Sequence, residues 1–114
     1  MSSPLTTHVL DTASGSPASG LFISLEKSVG GRFEAVREAR TNSDGRLDTA
    51  LITKDEWGAG VYRIRFETGA YFAARKAVCF YPFVEVVFEV RDTEQHYHVP
   101  LLLSPYGYST YRGS

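Results

Sequence analysis

Three histidines, at positions 8, 96 and 98, carry most of the chemistry this sequence offers. An imidazole, with a reference pKa of roughly 6.5, can accept or give a proton near neutral pH. His96 and His98 stand two residues apart, so on an extended strand both rings project to one side. The same spacing suits a metal ion, yet no cysteine pair or clustered carboxylates supply third and fourth ligands. The ordinary role of a histidine in such a place is a solvated or hydrogen-bonded strand residue. A second unusual feature is the run Tyr108-Ser-Thr-Tyr-Arg-Gly-Ser114, polar and aromatic to its last residue. Structurally it reads as the ragged end of an edge strand. Functionally, it places Tyr111, Arg112, Ser114 and the terminal carboxylate in a site.

The elements that must position these groups are strands. From Gln95 to Ser104, Tyr97, Val99, Leu101 and Leu103 form one apolar face, which leaves His98, Pro100 and Leu102 pointing away from the interior. On a strand predicted over Thr7–Asp11, His8 shares its face with Leu10. Histidines beside outward-facing leucines indicate a face covered by another subunit. Further strands are predicted around Leu21–Glu26, closed by Gly30-Gly31, and over Phe33–Arg40. The turn Asn42-Ser-Asp-Gly45 leads to a strand stub at Arg46 and Leu47. Tyr62, Ile64 and Phe66 alternate with Arg63, Arg65 and Glu67 in the next strand. Val84, Val86, Phe88 and Val90 define another inward face, and a last strand runs from Gly107 to about Arg112. Thr68–Ala77, rich in alanine, reads as a single short helix capped by Thr68. Seven to eight strands with one short helix make an all-β, antiparallel β-sandwich the leading architecture, with a small barrel as the alternative.

At 114 residues the chain fits one domain spanning 1–114. A domain of this size buries only about two-thirds of the surface its unfolded chain exposes, so a deep pocket would hollow out the core. A surface groove or a subunit interface is the expected place for a site. Twelve Lys and Arg against thirteen Asp and Glu give a net charge of −1, which removes the electrostatic case for nucleic acid or an anionic membrane. No apolar run approaches the roughly 18 residues needed to cross a bilayer. The first residues lack a basic and an apolar segment of the secretory kind, so a cytoplasmic location is expected. The lone cysteine, Cys79, allows no internal disulfide and reads as a small buried hydrophobe. Nucleophile-elbow, P-loop and dinucleotide motifs are missing.

Two segments are distinctive enough to compare with a known family. Leu5-Thr-Thr-His-Val-Leu-Asp-Thr-Ala-Ser-Gly-Ser-Pro-Ala18 resembles the N-terminal signature of the transthyretin-like proteins. Tyr97-His-Val-Pro-Leu-Leu-Leu-Ser-Pro-Tyr-Gly-Tyr-Ser-Thr-Tyr-Arg-Gly-Ser114 resembles their C-terminal one. Thr41–Leu47 and Gly60–Phe72 also fit, so the resemblance covers nearly the whole chain. The family has a thyroid-hormone carrier branch and an enzymatic branch, the 5-hydroxyisourate hydrolases. The polar set of the enzymatic branch is matched by His8, Arg46, His98 and Tyr111-Arg112-Gly113-Ser114.

The resemblance implies a homotetramer, a dimer of dimers around a central channel, with sites drawing on more than one subunit. It implies hydrolytic opening of 5-hydroxyisourate, a product of urate oxidation, with no cofactor and no metal. His8, Arg46, His98 and Ser114 are the expected catalytic residues, and Arg46, Tyr111, Arg112 and Ser114 the expected substrate contacts. These types suit the reaction: an imidazole activates water, and a guanidinium offers paired donors to a developing oxyanion. His98 is expected to activate water with His8 assisting. The alternatives are a non-catalytic carrier using the same channel, which would need apolar walls, and a zinc enzyme built on His96 and His98.

Overall fold

The computed structural model of the chain describes residues 3–113. Among them, eight strands and one helix follow in the order β1 (Leu5–Asp11), β2 (Ser16–Pro17), β3 (Phe22–Val29), β4 (Arg32–Arg40), β5 (Gly60–Phe66), α1 (Thr68–Ala73), β6 (Val84–Val90), β7 (Tyr97–Ser104) and β8 (Gly107–Thr110). They build two four-stranded sheets, ordered β2-β1-β7-β8 and β4-β3-β5-β6. No helix among the described residues is long and apolar enough to cross a membrane.

The sandwich read from alternation is the one that folds, with one departure from the antiparallel expectation. β1 and β7 run parallel, from Leu5 beside Tyr97 to Asp11 beside Leu103, while the other pairings are antiparallel. Side-chain alternation specifies which face a residue takes but carries no information on strand direction. A parallel pair needs a long connection, and here the whole second sheet lies between the two strands in sequence.

The core forms where the inward faces meet. Leu5 and Val9 of β1, Ile23 and Leu25 of β3, Tyr62, Ile64 and Phe66 of β5, and Leu101 and Leu103 of β7 are fully buried. Tyr62 satisfies its hydroxyl by donating to the Gly58 carbonyl at 2.7 Å, so a large aromatic sits in the core without an orphaned polar atom. The outer face of the second sheet pairs its charges internally: Arg63 bonds Glu26 at 2.7 Å over the ring of Phe33, and Arg65 bonds Glu67 at 2.6 Å over Phe83.

Four local expectations change. The helix stops at Ala73 rather than Ala77, because the chain turns at Lys76 (φ 60°). The Ala77 N–H donates to the Phe72 carbonyl at 2.9 Å and that of Lys76 to Ala73 at 3.0 Å, closing the last turn in a Schellman arrangement. Thr68 does not cap it. Glu67 holds the cap position without a side-chain bond, and buried Thr68 donates its hydroxyl to the Tyr81 carbonyl at 3.0 Å. Tyr71, on the same helix, donates to the buried Asp11 carboxylate at 2.9 Å, which ties α1 to the end of β1; burial, reinforced by Asp11, pushes its phenol up to about 12.

The predicted stub at Arg46 and Leu47 is a loop, and β7 begins at Tyr97 because Asp92–Gln95 form a turn. In the 42–46 loop the Asn42 side-chain oxygen accepts the N–H groups of Asp44 at 2.8 Å and Arg46 at 3.1 Å. Gly45 then lies against β1, accepting the Val9 N–H at 2.9 Å. It has φ +74°, and a Cβ there would stand 2.4 Å from the Val9 carbonyl oxygen. Gly15 has a similar φ of +72° but open space around it. Gly45→Ala should therefore cost about 1–3 kcal/mol and clearly more than Gly15→Ala, read as a lower urea midpoint at unchanged slope. Equal losses at the two sites would show that the contact with Val9 yields easily.

Candidate active site

The parallel register of β1 and β7 sets the site. It places Thr6 beside His98, His8 beside Pro100 and Leu10 beside Leu102. β8 continues the row: Ser109 lies opposite Leu102, and Gly113 forms a bridge with His98, its N–H donating to the His98 carbonyl at 2.8 Å. All of these positions share the outward face of the first sheet, since Leu5, Thr7 and Val9 on β1 and Val99, Leu101 and Leu103 on β7 are buried on the other. His8, Leu10, His98 and Leu102 are half-buried, as expected, and Pro100 is buried.

Hydrogen bonds define how the rings are held. His8 donates from Nε2 to the Asp44 carbonyl at 3.0 Å, which leaves Nδ1 of the neutral ring as an acceptor. The 42–46 loop thus orients His8 and presents Arg46 in the same move. Arg46 is exposed and shares a pocket with Thr6 and Leu47. Thr6 Oγ1 lies 2.8 Å from His98 Nδ1 and 2.9 Å from His96 Nε2. Among the described residues, nothing hydrogen-bonds His98 Nε2.

Gly113 is required for a reason other than the bend its residue type suggests. It has no positive φ; instead a Cβ would stand 2.4 Å from His98 Cδ2. The backbone of the tail is laid flat against the imidazole, and only glycine allows that approach.

The structure brings His8, His98 and Arg46 together, while Tyr111 follows β8, more than half exposed, and lines a groove with Val86, Val87 and Val99. It directs Arg112 elsewhere. That guanidinium stacks on Tyr97 at 4.1 Å, donates to Gln95 Oε1 at 2.8 Å and to the His96 carbonyl at 3.3 Å. Ser114 lies outside the described residues. Thr6 is the functional residue that the sequence reading passed over. Its signal was available, because it stands two positions before His8 on the same face. Among the described residues, no three His, Cys, Asp or Glu side chains converge as a metal ion would require.

Electrostatics favour a neutral His98. Partial burial, followed by the charges of Arg46, His8 and His96, lowers its pKa below the ordinary 6.5, and the backbone of Thr6 pulls the other way. A neutral imidazole beside a guanidinium can take a proton from water while the cation receives developing negative charge.

Two packed sheets with imidazole and guanidinium groups on one outer sheet face define a small β-sandwich protein whose candidate site lies on a sheet surface, not within the core. The chain belongs to the HIUase/Transthyretin family, whose model matches residues 5–113. It is 50% identical to the 5-hydroxyisourate hydrolase of Halalkalibacterium halodurans, covering all of both chains. The structure of Klebsiella pneumoniae 5-hydroxyisourate hydrolase aligns with a TM-score of 0.83 at 36% identity, over 96% of this chain and 98% of that one. Sea bream transthyretin in complex with thyroxine aligns with a TM-score of 0.92 at 32% identity, over 96% and 94%.

Two outcomes follow from this geometry. Gly113→Ala should leave the fold intact but swing the His98 ring, lowering turnover by about 100-fold, the scale of an ångström-level misplacement of a catalytic group; full activity would free His98 from the tail. In an NMR titration the His98 ring should show a midpoint below 6.5. Because the folded state binds this proton more weakly than the unfolded one, its contribution to stability is complete above about 6.5 and is lost as the pH falls below it. A midpoint above 6.5 would contradict the described environment.

Proposed function

We infer that the chain is a 5-hydroxyisourate hydrolase, and that its reaction takes place on the outward face of the first sheet. The observation that carries this reading is the alignment of Thr6, His8, His98 and Gly113 on one face with Arg46 presented beside them. The family relatives supply the substrate: the named hydrolases match at up to full coverage.

The chemistry runs through these side chains. Neutral His98 takes a proton from water as the water oxygen adds to a ring carbonyl of 5-hydroxyisourate. The negative charge on the former carbonyl oxygen faces the Arg46 guanidinium, whose planar paired donors suit it. Collapse breaks the ring C–N bond, and the proton held by His98 passes to the departing nitrogen. One water is consumed and 2-oxo-4-hydroxy-4-carboxy-5-ureidoimidazoline results. His8, with Nε2–H held by Asp44, turns an acceptor nitrogen to the substrate and assists. Tyr111, Ser114 and Arg112 orient the substrate or the tail that frames it.

The whole chain acts as one domain, and the assembly is a homotetramer made of two dimers. The half-buried Leu10 and Leu102 beside the histidines support a covered face. β6 and β8 are free sheet edges flanking one groove, with exposed Val87 and Tyr111 available to a second copy.

The carrier reading draws on the thyroxine-bound relative. A face holding His8, His98 and Arg46 suits a polar heterocycle better than an apolar hormone. Decay of 5-hydroxyisourate absorbance in chelator-treated buffer separates the readings. Acceleration over the uncatalysed rate is expected; none would favour a carrier, and chelator-sensitive acceleration a metal enzyme.

Two variants test the assignments. Arg46→Glu should abolish hydrolysis while the protein stays folded and tetrameric by CD and sedimentation; an active tetramer would remove Arg46 from the site. Deleting residues 111–114 removes no buried apolar side chain yet strips the contact on His98. The truncated protein should unfold cooperatively and turn over at least about 100-fold more slowly. Full-length rates from a truncated tetramer would make the tail a strand end only.

A further inference from the structure

Thr6 has one hydroxyl proton and two imidazole neighbours. His98 Nδ1 lies 2.8 Å from its oxygen and His96 Nε2 lies 2.9 Å away. These are the hydrogen bonds of the Thr6 side chain among the described residues, so the proton has two places to go. Each choice fixes the proton on His98.

In one polarity Thr6 donates to His96 Nε2 and its lone pair accepts the N–H of His98 Nδ1. His98 Nε2 then carries a lone pair, the state a general base needs. In the other, His96 Nε2–H donates to Thr6 and Thr6 donates to His98 Nδ1. That forces the proton of neutral His98 onto Nε2, where no described residue accepts it, and removes the basic lone pair. The first polarity leaves Nε2 as the acceptor that a substrate water meets, and gives each of the other ring and hydroxyl protons a partner in Thr6, His96 or solvent. The first polarity therefore satisfies each donor, with exposed His96 keeping its own proton on Nδ1 toward solvent.

We propose that His96, acting through the Thr6 hydroxyl, sets which ring nitrogen of His98 holds the proton and so keeps Nε2 free as the base. His96 and Thr6 are positioning residues. Arg112 belongs to the same device: by bonding the His96 carbonyl at 3.3 Å and Gln95 at 2.8 Å, it ties the segment carrying His96 to the tail. The tail thereby fixes His98 from two sides, directly through Gly113 and indirectly through His96. The two-apart histidine spacing that suits a metal ion serves here as a proton wire with a threonine in its middle.

This inference rests on His98 being the base, and the test separates the two. The intact protein, labelled with 15N-histidine, is examined by long-range 1H–15N correlation at about pH 8, where neutral imidazole dominates. His98 should show the Nδ1–H tautomer. In His96→Ala and in Thr6→Val the signal should move toward Nε2–H, and kcat should fall by up to about 10-fold with KM little changed, in proportion to the lost base-competent fraction. Thr6→Ser, which retains the hydroxyl, should restore both the tautomer and the rate. An unchanged His98 tautomer in His96→Ala and Thr6→Val overturns the proposal even if His98→Ala is inactive. A tautomer that shifts while His98→Ala remains active supports the relay and instead removes His98 as the base. Nε2–H already present in the unaltered protein also overturns the proposal.

Discussion

The seven residue pairs that join β1 to β7 hold the site in being. They unite the first strand with the seventh across a span in which Thr6 and His98 are 92 residues apart. The ladder is parallel and in register, so an inward residue on one strand meets an inward residue on the other, and outward meets outward. Buried Leu5, Val9, Leu101 and Leu103 lock that register from beneath. A slip of one residue would turn Thr6 and His8 into the core and bring Leu5 and Val9 to the surface, which the loss of apolar burial forbids. The face that carries the candidate site is thus positioned by the same contacts that stabilise the sandwich. The 42–46 loop then has only to orient the His8 ring, through the Asp44 carbonyl.

How much of this could be read beforehand follows from what alternation encodes. The inward rows of β5 and β7 were legible because Tyr62, Ile64 and Phe66, or Val99, Leu101 and Leu103, have no other way to be buried together. His98 and His8 as outward residues followed by subtraction. Strand direction was not legible, since a parallel and an antiparallel β1–β7 pair require the same pattern. The helix end was missed because Lys76, not glycine, takes the left-handed turn that closes it. Residue type gave no warning. Arg112 was grouped with the tail's functional residues through the terminal Tyr-Arg-Gly-Ser resemblance, but in the structure its guanidinium lies on Tyr97. The use of Gly113, close approach to a ring, was not legible from its residue type.

The two sheet faces are finished differently. On the second sheet, Arg63 and Arg65 are engaged by Glu26 and Glu67 and stack on Phe33 and Phe83, so cations there have their partners already. Their carboxylates and rings compete with any incoming anion. On the first sheet, exposed Arg46 stands beside imidazoles and half-buried leucines. An anionic or electron-rich heterocycle meets an available cation on that face and matched pairs on the other. The distribution of partners, more than the net charge of −1, gives the molecule a reactive side.

The distance in sequence between Thr6 and His98 also has a meaning in time. A ribosome adding about 5–20 residues per second needs roughly 5–20 s to pass from one to the other. During that interval β1 has emerged while β7, the strand on which its hydrogen bonds depend, has yet to be made. The second sheet, whose strands β3 to β6 follow one another in sequence, can close first. β1 must then wait, with Leu5 and Val9 uncovered, for β7 to arrive beside it. The face that joins His8 to His98 is therefore complete only once β7, made after the second sheet, has reached β1.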